Sequence, residues 1–220
     1  MRVLVISAAC IACCAQPSFA QSERAYVNVS GGMAISTDTT SGDVLGEVGV
    51  RVARNLFVFG DLGQFHNLQP SLVQPTVDAT ALALAGDGLT VTGTGRVPAW
   101  QVLGGLRYLF PTHSSATPYV LGGAGLARLS PTAQFIYSGG TIAGLTVTPS
   151  SGDDVTSQLV SLGDFTAPAA TNAFMFTVGG GLQVPIAPRL NVDVGYRVSR
   201  INGDTPVSAQ SIMAGVGFRF

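Results

Sequence analysis

The chain has 220 residues, of which 46% are hydrophobic and only 10% are charged, and its formal net charge is −1. Since an average soluble domain carries about 25% charged residues, this composition favours a chain that is largely buried or embedded in a membrane. All 11 basic residues are arginine and they form no basic stripe or tail, which argues against a nucleic-acid-binding surface.

The first twenty residues predict a cleaved secretory signal peptide. A short positive start at Arg2 is followed by an apolar run over residues 3–15. Small residues then precede a cleavage site between Ala20 and Gln21. The apolar run is too short to span a membrane, and it is followed by a polar stretch. We therefore expect residues 1–20 to be removed and residues 21–220 to form the mature domain.

The cysteines leave one alternative for this segment, a lipoprotein signal acylated at Cys13 or Cys14. The residues before them fit a lipobox poorly, so the ordinary signal peptide is favoured. The chain has three cysteines, Cys10, Cys13 and Cys14, and all of them lie within this segment. The mature protein is therefore expected to have no disulfide and no cysteine metal site.

The mature chain contains eight segments in which apolar residues alternate with polar or small ones. They cover residues 24–35, 44–53, 56–68, 98–110, 118–130, 172–184, 189–201 and 209–220. Each is long enough for a tilted membrane strand of about 9–11 residues, whereas no mature segment offers the ~18 apolar residues of a transmembrane helix. The sequence predicts an all-β fold, an eight-stranded antiparallel up-and-down transmembrane β-barrel.

The connections between these segments alternate in length. Residues 53–55, 111–117 and 185–188 are short connections, 36–43 and 202–208 are intermediate, and 69–97 and 131–171 are long. Short turns at one end and long loops at the other are typical of outer-membrane barrels. We expect the short turns to be periplasmic and the long loops to be extracellular. Because closure cost grows slowly with loop length, the long loops are expected to be dispensable for folding.

Aromatic residues crowd the ends of the segments and predict two interfacial girdles. The girdle nearest the short turns would contain Phe57, Phe59, Tyr108, Phe110, Tyr119, Phe218 and Phe220. The opposite girdle would contain Phe65, Phe174 and Phe176. One conflict arises, because Phe57, Phe59 and Phe65 have the same parity as Asp61. A β-bulge near Gly60, which would reverse the faces, is expected to resolve it.

The charged residues within the segments are expected to point inward, because a charge facing lipid costs up to a few kcal/mol. The predicted interior network consists of Glu47, Arg51, Asp61, Arg107, Asp193, Arg197 and Arg219. Folding the hairpins predicts two clusters within this network. One contains Glu47, Asp61 and Arg107 together with Arg51. The other contains Asp193 and Arg219 together with Arg197. The network is either a gated path for protons or ions, or the packed interior of a barrel. The second is favoured, since eight strands usually leave no aqueous channel.

The last segment alternates strictly from Ile212 to Phe220, with Val216 and Phe218 on the same face as these two residues. A final strand ending in phenylalanine resembles the C-terminal motif of Gram-negative outer-membrane barrels, which the barrel-assembly machinery reads. The resemblance implies that Phe218 and Phe220 act as an assembly signal.

Three motifs in the predicted strands extend this resemblance over the mature chain. They are Pro118-Tyr119-Val120-Leu121-Gly122-Gly123-Ala124-Gly125, Val194-Gly195-Tyr196-Arg197 and Gly217-Phe218-Arg219-Phe220. In order and spacing, the chain resembles the eight-stranded barrels grouped around outer-membrane protein A and the opacity-type adhesins. The resemblance implies a location in the cell outer membrane, contact with lipid and lipopolysaccharide, and a monomer. The peptidoglycan-binding domain of some relatives is not expected.

Three functional classes remain open. The first and favoured one is a structural or surface-interaction barrel without an open aqueous pore, and the second is a conduit for small solutes or hydrophobic compounds. The third is a lipid A-modifying enzyme, for which only His66 lies at the outer rim, with Ser71 and Asp78 in the following loop. We expect no enzyme activity, no catalytic residues and no cofactor.

The sequence offers little for metal binding. His66 and His113 are expected at opposite ends of the barrel, too far apart to share an ion. Asp153 and Asp154, in the longest loop, could contact calcium or the cations of lipopolysaccharide, although a solvated pair is favoured. No metal site is therefore expected.

Overall fold

The structure, a computed structural model, describes residues 24–37, 39–112, 115–141, 149–203 and 205–220. In chain order its elements are β1 (Ala25–Ser36), β2 (Thr40–Ala53), β3 (Leu56–Phe65), a 3-10 turn (Pro70–Leu72), α1 (Gln74–Gly86), β4 (Leu89–Arg96), β5 (Ala99–Leu109), β6 (Thr117–Leu129), β7 (Thr132–Gly140), α2 (Thr156–Leu162), β8 (Thr171–Pro185), β9 (Leu190–Asn202) and β10 (Val207–Arg219). The predicted signal peptide lies outside the described residues.

Eight of the strands form a closed antiparallel barrel in the order β1-β10-β9-β8-β6-β5-β3-β2. The predicted fold class is confirmed, and each predicted strand agrees with the observed one to within four residues at either end. Strands β4 and β7 form a separate two-stranded sheet. Neither described helix is long and apolar enough to cross a membrane.

The wall of the barrel follows the two-residue period of its strands. Outward-facing residues such as Val29, Val102 and Leu126 are exposed, whereas their neighbours along the strand are buried inside. In a closed sheet every strand edge is paired, so an apolar outer face of this kind can meet lipid without unsatisfied backbone groups. Tyr108, Phe218 and Phe220 lie on this outer face near one end, and Phe174 and Phe176 lie on it near the other.

The two ends of the barrel differ. At one end, here called the turn end, residues 54–55, 110–116 and 186–189 join the strands. The backbone N–H of Arg24 donates to the carbonyl of Phe220 at the same end, with an N···O distance of 2.9 Å. At the opposite end, the loop end, the longest connections are residues 66–98 and 130–170. The two longest connections thus lie at one end, as predicted, but residues 37–39 and 203–206, predicted to belong to intermediate connections, form short connections at the same end.

The two long connections at the loop end are themselves folded, and together they form a cap. Strands β4 and β7 pair from Leu89 opposite Gly140 to Arg96 opposite Thr132. Helix α1 lies against β4, where the Gln74 side chain accepts from the backbone N–H of Gly95 (2.7 Å). Helix α2 follows β7. These elements were not among the segments predicted from the alternating pattern of the sequence.

The cap and the mouth of the barrel share one hydrophobic core. Phe135, Val155 and Leu159 of the cap are completely buried, and they belong to the same cluster as Met175 and Ile201 of the barrel wall. The rings of Phe135 and Phe165 meet edge to face, with centroids 5.0 Å apart. The loop end is therefore closed by packed apolar side chains.

The bulge predicted near Gly60 is wrong. Strands β2 and β3 pair without interruption from Asp43 opposite Phe65 to Arg51 opposite Phe57, and the only shift in this pair lies between Arg51 and Ala53. Because the alternation continues, Phe57, Phe59 and Phe65 all face inward together with Asp61 and are at most 5% exposed. These three phenylalanines and the buried Tyr119 therefore do not belong to the interfacial girdles predicted for them.

Glycines make room for the inward aromatic rings. Three rings lie directly opposite a glycine on the neighbouring strand: Tyr26 with Gly49, Phe59 with Gly105, and Tyr119 with Gly181. A Cβ atom added to Gly49 would lie 2.3 Å from Cε1 of Tyr26, and one added to Gly105 would lie 2.9 Å from Cε1 of Phe59. Neither approach is sterically possible for an unshifted ring. The glycine-rich strands thus accommodate large side chains in a narrow interior.

Candidate functional site

The centre of the barrel contains a continuous network of buried charges. The Nη1 atom of Arg107 lies 2.8 Å from Oε1 of Glu47, and its Nη2 atom donates to Asp193. The Nη1 atom of Arg197 lies 2.8 Å from Oδ2 of Asp61, and its Nη2 atom donates to the second oxygen of Glu47. The five residues form a chain in which Glu47 joins the two arginines.

This network crosses the barrel from wall to wall. Glu47 is on β2, Asp61 on β3, Arg107 on β5, and Asp193 and Arg197 are on β9. In the circular strand order, β9 and β3 are four places apart and thus lie opposite each other. The ion pair between Arg197 and Asp61 therefore bridges the full width of the barrel.

Two tyrosines donate further hydrogen bonds to the carboxylates of Glu47 and Asp193. The hydroxyl of Tyr26 donates to Oε1 of Glu47 and the hydroxyl of Tyr119 donates to Oδ1 of Asp193, each at 2.6 Å. The guanidinium carbon of Arg107 lies 3.6 Å from the ring centroid of Tyr119, a cation–π contact. Neither tyrosine is in the predicted network. Inward parity on β1 and β6 is the sequence signal that could have found both.

The structure brings five of the seven predicted interior residues into one network instead of two clusters. Arg107 lies opposite Phe57 in the β3–β5 register, and Asp61 lies opposite Leu103. Strands of a barrel are tilted and staggered, so long side chains meet diagonally across the interior, beyond their immediate strand partners. Pairing read from hairpin folding alone therefore finds Glu47 as a partner of Arg107, but it wrongly adds Asp61 and misses Asp193.

Arg51 and Arg219 are the two predicted residues outside the network. The guanidinium of Arg51 lies over the Phe57 ring, 5.2 Å from its centroid. The Nε–H of Arg219 donates to Oδ1 of Asn191 at 3.3 Å. Both residues line a basin at the turn end.

The cap residues considered for metal or catalytic roles have other contacts. Asp154 accepts hydrogen bonds from the side chain and backbone of Thr156 and from Gln134. Those from Thr156 contribute most to lowering its pKa. Asp153 accepts from the backbone of Ser150. Within the described ranges, no group of three or more His, Cys, Asp or Glu residues is arranged to hold a metal ion.

The three residues considered for an enzyme do not form a hydrogen-bonded triad. Asp78 is bound to the Gln74 side chain at 2.7 Å, and the His66 side chain makes no hydrogen bond to a described residue. Ser71 lies in the exposed 3-10 turn. His113 lies outside the described residues. His66 is therefore not hydrogen-bonded to Asp78 in the described part of the chain.

Comparisons with known proteins agree with this architecture. The model of the outer membrane protein beta-barrel domain family matches residues 6–220. The crystal structure of Neisserial surface protein A is similar, with a TM-score of 0.52, 17% identity, and coverage of 89% of this chain and 96% of that one. At this identity the likeness concerns the fold. Comparison with curated proteins gave no significant match.

Two further solved structures are similar at lower scores. A major outer membrane protein from Thermus thermophilus has a TM-score of 0.48 and 11% identity, with 89% of this chain and 99% of that one covered. The attachment invasion locus protein of Yersinia pestis has a TM-score of 0.46 and 15% identity, with 90% of this chain and 97% of that one covered.

Proposed function

Since the chain belongs to the outer membrane protein beta-barrel domain family, we propose that it is a closed outer-membrane barrel whose folded cap serves surface interactions. The proposal rests on the observation that the interior of the barrel is blocked at two levels, in the middle and at the loop end. Buried ion pairs cross the middle of the barrel, and the apolar core of the cap fills its loop end. Such an interior favours a structural or adhesive role over transport.

The composition of the cap supports contact with other molecules. Leu72, Leu82, Val160 and Leu162 are apolar residues that the cap leaves exposed, with Leu82 76% exposed. They lie on three elements of the cap, the 3-10 turn, α1 and α2. The cap also contains the two longest connections of the barrel, so it is the part of the molecule that we propose makes these contacts.

Outward-facing arginines near the loop end support lipopolysaccharide as a membrane partner. Arg128 is exposed on the outer face of β6, next to Trp100 on β5. Arg200 also faces outward on β9, where it donates to Ser208. Guanidinium groups bind phosphate well, and in the proposed orientation these arginines would face the phosphates of lipopolysaccharide.

Cell-surface exposure of the cap can be tested by cysteine labelling. Residues 24–220 contain no cysteine, so a single introduced thiol is specific. We expect Leu82→Cys to react with a membrane-impermeant maleimide on intact cells. Ile186→Cys, also well exposed but at the turn end, should react only after the outer membrane is permeabilised. The opposite pattern would reverse the proposed orientation.

The conduit alternative makes a different prediction in planar bilayers. A closed barrel should give no discrete, salt-dependent conductance steps at neutral pH, because the central ion pairs and the cap core both block the path. Regular steps from the purified wild-type protein would favour the conduit and contradict the closed barrel.

Phe218 and Phe220 are proposed to be read by the assembly machinery. Both rings lie on the outer face of the terminal segment and are about half exposed, so they are accessible before the barrel closes. Phe220→Ala should lower the amount of folded protein in the outer membrane several-fold and cause accumulation in the periplasm. Phe174→Ala removes a similarly exposed outward ring away from the terminus and should have little effect. Equal levels of the two variants on unheated gels of membrane fractions would contradict an assembly role.

A further inference from the structure

The turn end of the barrel opens into a basin of about 180 Å³ that the proposed function does not use. Its described lining contains four arginines and no carboxylate: Arg51, Arg54, Arg107 and Arg219. We call it the arginine basin. The rings of Tyr26 and Phe57 form part of its wall, and Asn55 and Pro111 lie at its rim.

Two of these arginines lack an anionic partner. Neither Arg51 nor Arg54 forms an ion pair with any described residue. The Nε–H of Arg51 is also buried and has no hydrogen-bond acceptor within the described part of the chain. A buried donor left unpaired is costly, so an acceptor that entered the basin would be bound favourably.

The other two arginines of the lining have partners of their own. The guanidinium of Arg107 is held by Glu47 and Asp193, so its charge is neutralised. Neither carboxylate is among the residues that line the basin. Arg219 donates to Asn191. Arg51 and Arg54 therefore carry the positive charge that no described carboxylate neutralises.

The charge distribution along the barrel reinforces this site. Arg24 and Arg189 lie at the same end as the basin, immediately before β1 and β9. The described acidic residues, in contrast, lie in mid-barrel or at the loop end: Asp43, Glu47, Asp61, Asp78, Asp87, Asp153, Asp154, Asp164 and Asp193. A cleft lined by one sign of charge concentrates small ions of the opposite sign.

We propose that the arginine basin binds a small phosphate-class oxyanion at the turn end of the barrel. Guanidinium groups pair with phosphate oxygens through two parallel hydrogen bonds. At about 30 Å³ for each water, the basin holds the equivalent of roughly six waters, which suits one phosphate group and a few further atoms. Free phosphate and the headgroup of a phospholipid share this chemistry.

The test is isothermal titration of the refolded mature protein with inorganic phosphate in a non-ionic detergent, at constant ionic strength set with chloride. We expect a saturable isotherm with one site. Arg51→Gln and Arg54→Gln should each weaken binding about 10-fold or more, the usual effect of losing a charge-assisted hydrogen bond. Arg96→Gln, at the end of β4 in the cap, should bind like the wild type.

Arg54→Gln keeps the test decisive if Arg51→Gln does not fold, because Arg54 is exposed in the two-residue turn between β2 and β3. Adding phosphatidylglycerol to the micelles distinguishes the two sources. Competition with phosphate indicates that a lipid headgroup enters the basin, and no competition indicates a soluble anion. The absence of saturable binding by the wild type, or equal binding by the Arg54→Gln variant, would overturn the proposal.

Discussion

Replacing Arg107 by alanine should lower the free energy of unfolding of the barrel by roughly 3–5 kcal/mol, the usual cost of breaking a buried ion pair. Arg107 is 1% exposed and is the partner of both Glu47 and Asp193. Its removal would leave Asp193 with only the hydroxyl of Tyr119. It would also leave Glu47 with a single cation, Arg197.

Urea titration, followed by loss of the compact band on unheated gels, measures this effect. Arg96→Ala is the matched control, since Arg96 is exposed and forms no ion pair with a described residue. Its unfolding midpoint should stay close to that of the wild type. Combining Arg107→Ala with Asp193→Asn should cost less than the sum of the single changes, because the two residues are coupled. Similar midpoints for Arg107→Ala and Arg96→Ala would contradict the network.

The second large effect concerns the cap. Phe135→Ala should destabilise the cap by roughly 3–5 kcal/mol, the range for truncating a buried phenylalanine. Phe135 is 0% exposed and packs edge to face against Phe165. The hydrogen-bonded wall of the barrel does not include these residues, so the barrel should remain folded. The loss should therefore appear as local opening at the loop end.

Limited proteolysis of the folded protein separates the cap from the barrel. Since every 1.4 kcal/mol is a factor of ten, cleavage within residues 66–98 and 130–170 should accelerate by about two to three orders of magnitude. Leu82→Ala, which truncates an exposed side chain of α1, should leave the cleavage rate nearly unchanged. If Phe135→Ala instead unfolded the whole barrel, the cap would be part of the same cooperative unit, contrary to the expectation that the long loops are dispensable.

The barrel could be predicted from the sequence because its strands carry a strong two-residue period. The outward residues of the barrel strands are predominantly apolar, as from Ile212 to Phe218 of β10, whereas the inward residues include large apolar ones such as Met213 and Phe59 beside the small and polar ones. Membrane exposure on one side imposes this pattern on every strand, whatever its partners are. The cap has no such constraint. Helix α1 has apolar residues on all its faces, and its packing against β4 could not be read from periodicity.

The central network was only partly predictable for a related reason. Parity identifies which residues point inward, and it did so for Glu47, Asp61, Arg107, Asp193 and Arg197. The partner of each depends on the tilt and stagger of the barrel, which bring side chains from opposite walls to one height. The same parity argument held for Phe59. The expectation that phenylalanine lies at the membrane interface conflicted with this parity. That conflict led to the predicted bulge near Gly60, which the structure does not contain.

The aromatic rings that face glycine across β1–β2, β3–β5 and β6–β8 have a consequence for how the sheet assembles. The smallest slip that keeps apolar faces outward is two residues. Such a slip between β3 and β5 would set Phe59 against Leu103 or Arg107 in place of Gly105. Neither position leaves space for the ring, so a misaligned hairpin is penalised before the barrel closes. Alignment errors would thus be rejected one hairpin at a time, while the strands are still free to slide, and long before the last pair of strands meets.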